Sequence, residues 1–68
     1  MIKSEIVEID GVFVGVVIQF RHDGTRVFRA IHEWLCPLNG QIMASLQDAR
    51  MLAASLFRRQ RVAARAAA

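Results

Sequence analysis

Apolar residues crowd the first half of the chain and thin into a helical rhythm in the second. Gly11 to Phe20 reads Gly-Val-Phe-Val-Gly-Val-Val-Ile-Gln-Phe, uncharged and nearly all β-branched or aromatic, which predicts one long strand. Glu5 to Ile9 predicts a shorter strand before it, and Asp10-Gly11 between them is the sequence of a two-residue type I′ turn, which needs positive φ at both central positions. That turn sets Ile9 opposite Val12 and Val7 opposite Val14. Paired residues share a face. Val7, Ile9, Val12, Val14, Val16, Ile18 and Phe20 are therefore expected on one inner face.

At His22-Asp23-Gly24 two hairpin registers compete. A two-residue Asp23-Gly24 turn would put Val27, Arg29, Ile31 and Glu33 inside, burying two charges at several kcal/mol each. A three-residue loop with Gly24 left-handed puts Phe28, Ala30, His32 and Trp34 inside instead. A slip of one residue exchanges the faces, so burial cost selects the second register. Asn39-Gly40 is another type I′ signal, and Gln41 to Ala44 could add a short fourth strand, brief or at an edge because Pro37 has no N–H to donate.

Ser45 opens a helix with a capping-box-like Ser45-Leu-Gln-Asp48. Leu46, Ala49, Leu52, Ala53, Leu56 and Phe57 recur at helical spacing as one stripe for the inner face. Asp48 near its start and Arg58 and Arg59 near its end complement the helix dipole. The expected architecture is α+β: an antiparallel β-meander of three or four strands packed on one C-terminal α-helix. Residues 1–60 form the single domain, and 61–68 are expected to fray as an Ala/Arg-rich tail.

Composition changes this picture in one respect. Sixty-eight residues lie near the lower limit for a self-sufficient core. The single cysteine, Cys36, precludes an internal disulfide and the multi-cysteine zinc patterns. Association with another subunit is the expected substitute, so a homo-oligomer (a homodimer) or a protein partner is anticipated. No run reaches the roughly 20 apolar residues of a spanning helix, and the N-terminus lacks a signal-peptide pattern, so no membrane is expected and a reduced, cytoplasmic setting follows.

Candidate chemistry is sparse. Cys36 and His32 are the one conceivable nucleophile–base pair, but along a strand they sit roughly 13 Å apart. Cys36 is read as a small core hydrophobe and His32 as a residue at the core margin. There is no phosphate loop, paired-carboxylate motif or dinucleotide fingerprint. No enzyme, metal or cofactor is expected.

Net charge is +3, with Glu5, Glu8 and Asp10 early and Arg58, Arg59, Arg61 and Arg65 late. Those four arginines are the candidate contacts for a nucleic acid or another anionic partner. A three-stranded sheet followed by a helix opening Ser45-Leu-Gln-Asp48-Ala49-Arg50 resembles the AP2-type domains and the arm-binding domains of phage and transposon integrases. The likeness covers roughly residues 12 to 58. It implies that the sheet face turned away from the helix enters the DNA major groove. On that face Arg29 stands against Glu8 and Glu33, a departure from the family's basic surface. The same face is the leading candidate for protein contact, through Ile6, Phe13, Gly15, Val17 and Ile31, with Arg29 and Glu33 available for charge pairing. Gly15 in mid-strand leaves room for a ring or another backbone to approach.

Overall fold

The computed structural model describes residues 3–19 and 24–67. Four strands, β1 (Lys3–Ile9), β2 (Val12–Gln19), β3 (Arg26–Ala30) and β4 (Ile42–Met43), form one antiparallel sheet in the order β1-β2-β3-β4. A 3-10 helix, Glu33–Leu38, connects β3 to β4, and one α-helix, α1 (Leu46–Ala67), closes the chain. The α+β meander with a C-terminal helix is the architecture the hydrophobic pattern predicts.

The first turn is as the sequence requires. Asp10 and Gly11 have φ of 52° and 81°, and Ile9 pairs with Val12. Two residues later the ladder departs from a regular hairpin: Glu8 pairs with Phe13, but Val7 pairs with Gly15. Val14 is the extra residue of a β-bulge, and beyond it the two faces of β2 exchange parity. The inner face therefore carries Val14, Gly15 and Val17, whereas Val16 and Ile18 turn outward. Val17, expected outside, is 2% exposed. Gly15 is buried too, and its expected ring neighbour exists, but on the inner side: a Cβ there would collide with Phe28 Cζ and stand 2.8 Å from the Arg29 carbonyl oxygen. Phe28 lies across the space that glycine leaves.

The bulge also anchors the chain beyond β3. The Val14 carbonyl accepts from the N–H groups of both Ile31 (3.0 Å) and His32 (3.1 Å). The strand expected to run through Trp34 ends at Ala30. His32 then caps the 3-10 helix, its Nδ1 accepting from the Trp34 N–H at 3.1 Å. That helix buries Leu35 and leaves Cys36 exposed, so the cysteine is not a core residue. Gly24 is left-handed, as expected (φ 86°), and Phe28 is inside, but the pairing is one residue off the register of a three-residue loop: Phe28 pairs with Val17, where that loop would set it opposite Ile18. Phe20 and the His22-Asp23 part of that loop lie outside the described residues. The Asn39-Gly40 turn is type II rather than I′: Asn39 sits at φ −62°, ψ 128° and only Gly40 is left-handed.

Helix α1 begins as read, with Ser45 Oγ accepting from the Asp48 N–H at 3.0 Å. Ala49 and Ala53 are fully buried and Phe57 nearly so, the i, i+4, i+8 line on which the helix lies against the sheet. Leu52, assigned to the same stripe, is 49% exposed on the flank. The helix does not stop near Gln60 but continues to Ala67. At 1.5 Å per residue it spans about 33 Å, against about 23 Å for the seven residues of β1. Its last turns pass the end of the sheet, and Val62 to Ala66 are exposed.

Candidate interaction surface

With parity corrected at the bulge, the outer face of the sheet can be assembled row by row. Glu8 lies beside Phe13; Ile6 beside Val16 and Arg29; Ser4 beside Ile18, Val27 and Ile42. Ile31 sits just past the end of β3 and is exposed. Helix α1 and the 3-10 helix pack on the opposite side, and no described element covers this one. Ile42 is 73% and Ile6 61% exposed, and Phe13 nearly half. Exposed aliphatic and aromatic side chains contiguous over four strands are unusual for so small a domain.

The face differs in membership from the one the sequence suggests. Ile6, Phe13 and Arg29 are on it as expected; Gly15 and Val17 are not, because the bulge turns them into the core. Glu33 is exposed in the first turn of the 3-10 helix instead of continuing β3. Four residues were missed: Val16, Ile18, Val27 and Ile42. Of these, Ile42 was findable, since a fourth strand paired to β3 puts it beside Val27 and opposite in facing to Met43.

The basic helix end is a different kind of surface. Arg58 makes two hydrogen bonds to the Asp10 carboxylate (Nη2 to Oδ1 3.0 Å, Nε to Oδ2 3.3 Å), and Arg61 Nη2 reaches Oδ2 at 3.1 Å. The hydrogen bond from Arg58 holds the Asp10 carboxyl below its ordinary value, with the charges of Arg58 and Arg61 adding to it. In return, the carboxylate raises the Arg58 value. Arg61 also lies 5.1 Å from the centre of the Phe57 ring. Arg59 donates to Ser55 Oγ at 3.4 Å, and Arg65 is exposed in the last turn. Two of the four arginines expected to meet an anionic partner therefore tie the helix to the first turn.

Groups with reactive potential are not brought together. His32 forms a triangle of rings with Trp34 and Phe57, centroids 5.0 to 5.2 Å apart, and packs as a core-margin residue. Among the described residues no cluster of His, Cys, Asp and Glu could hold a metal ion. A shallow cavity of about 200 Å³ opens beside the start of α1, lined by Lys3, Glu5, Val17, Gln19, Arg26 and Leu46. Arg26 Nη1 there donates to the Gly24 carbonyl. Among the described residues no helix is long and apolar enough to cross a membrane. No protein-family model, curated protein or solved structure matches the chain.

Proposed function

We propose that the protein is a small non-enzymatic interaction module that binds protein through the outer face of its sheet. The observation behind this reading is the contiguous apolar surface of Ile6, Phe13, Val16, Ile18, Val27 and Ile42, which nothing in the described chain covers. From the exposures of these side chains the patch is on the order of 500 Å², the size that marks contact surfaces on small soluble proteins. The short chain adds a motive. A core resting on ten buried side chains among the described residues is small, and covering the second face of the sheet would remove further apolar area from water.

Site-specific photo-crosslinking tests the reading. A benzophenone side chain placed at Ile6 or Ile42 is expected to give protein adducts in the producing cell, while the same group at Met51, an exposed apolar residue of α1, gives none. Adducts at Met51 alone, or at none of the three, would exclude the outer face as the contact surface.

A further inference from the structure

We infer that the outer face is completed by a second copy of this chain, docked face to face about a two-fold axis running along β2. This rests on the interaction-surface reading above and names its partner. The outer face carries two charged side chains among its described residues, and they are of opposite sign: Glu8 on β1 and Arg29 on β3. Both are exposed, and neither takes part in an ion pair within the described chain. They flank β2 on its two sides, each about 4.8 Å from it.

Rotation by 180° about an axis along β2 lays β1 of one copy over β3 of the other, and β3 over β1. Each Glu8 then faces an Arg29 of the partner copy, and the interface holds two such pairs. The residues differ in height by one step along the face, since Glu8 is level with Phe13 and Arg29 with Val16. That step is about 7 Å, which an extended arginine side chain spans. The alternative two-fold, perpendicular to the strands, sets β1 over β1 and β3 over β3. It would strand both charges in an apolar contact without partners. The arrangement of charge is thus self-complementary in one orientation and not in the other.

Most of the face fits that orientation, with Ile42 on β4 at the rim, beyond the overlaid β1 and β3. Phe13, Val16 and Ile18 lie on β2, along the axis, and form the dry centre; the two charges fall to either side. Sheets packed this way sit about 10 Å apart with side chains interdigitated. Two patches of this size bury roughly 1,000 Å² together, the low end of specific interfaces. The result is four layers, helix–sheet–sheet–helix, with Asp10, Arg58 and Arg61 on the outside.

Analytical ultracentrifugation of the purified full chain tests this. The wild type is expected to be a dimer in the micromolar range. Glu8→Arg and Arg29→Glu are each expected to weaken it at least tenfold, because each sets like charges opposite one another. An equimolar mixture of the two variants is expected to recover the wild-type affinity as a heterodimer, since each then supplies the charge the other lacks. Circular dichroism on each variant alone checks that it is folded, and recovery on mixing is a result that misfolded chains would not give. A monomeric wild type would overturn the inference, as would a dimer indifferent to both substitutions or a mixture that stays dissociated. A monomeric wild type that still gave outer-face crosslinks to a different protein would remove the second copy and leave the interaction surface standing. Neither dimer nor crosslink would remove both.

Discussion

The two faces of this sheet are built from nearly the same side chains, yet only one is a core. Inside are Val7, Val14, Val17 and Phe28; outside are Ile6, Phe13, Val16 and Ile18. Hydrophobicity does not separate them. Small residues do. The inner face has Gly15 and Ala30 side by side, and the helix brings Ala49 and Ala53 against the sheet. Together they let a backbone cylinder and the Phe28 ring come close enough to exclude water. The outer face offers no such recess, and it carries two charges that a covering helix of the same chain would have to match. A sheet face becomes core when something can approach it, and approach is set by the smallest residues on it.

The sharpest way to break this comparison is to remove one phenylalanine from each face. Phe28→Ala empties a fully buried ring position and should cost about 3–5 kcal/mol, measured by urea denaturation. Phe13→Ala takes the same ring from the outer face. At protein concentrations too low for association it should cost under about 1 kcal/mol, as surface substitutions do. Equal losses would mean that the outer face is covered within the chain, and the distinction between the faces would fall.

Gly15 gives a smaller but more pointed test. A methyl group there would collide with the Phe28 ring and the Arg29 carbonyl, and the carbonyl is backbone that cannot swing aside. Gly15→Ala should therefore destabilise by about 1–3 kcal/mol through overpacking. A strand position with ordinary space would behave oppositely, because alanine stiffens the unfolded chain. A double substitution, Gly15→Ala with Phe28→Leu, should recover part of the loss if the ring is the main obstruction. No recovery would assign the strain to the backbone contact.

How much of this was legible depends on whether a residue's meaning was local. Asp10-Gly11 needed only the φ preferences of its own two residues, and Ser45 only the helix N–H three residues on; both were read correctly. The oddity of Gly15 was also readable, and so was the presence of an uncovered apolar face. The bulge at Val14 was not. A bulge shows in sequence when apolar and polar residues change phase, but Val12 to Ile18 is apolar at both parities apart from Gly15, so no phase exists to change. What selects it lies far along the chain: the Val14 carbonyl serves Ile31 and His32, and Gly15 must lie beneath Phe28. The missed face residues Val16 and Ile18, and the misplaced Val17, all follow from that one event. The 3-10 helix was hidden for a related reason. His32 to Trp34 alternates like a strand, and only the backbone capping by His32 Nδ1 shows that the chain has already turned.

The weakest expected effect concerns what holds the helix to the inner face at its far end. Phe57 is the last nearly buried residue of α1, and beyond it the attachment is polar: Asp10 receives Arg58 and Arg61. All three side chains are partly exposed, so the contribution is modest and screened by salt. Its sign with pH is nonetheless fixed. Asp10 has a lowered value in the folded chain, so its stabilisation is fully present above the ordinary carboxylate value. It is lost as pH falls through the lowered folded value, where the carboxylate takes up a proton. Asp10→Asn should therefore be less stable than the wild type at neutral pH, with the two converging in acid and in high salt. Amide hydrogen exchange should place the difference in Arg58 to Ala66 and leave Ile6, Val16 and Val27 unaffected. Protection lost equally from the outer-face strands would show that the clamp supports the whole sheet, and the two faces would no longer be independent.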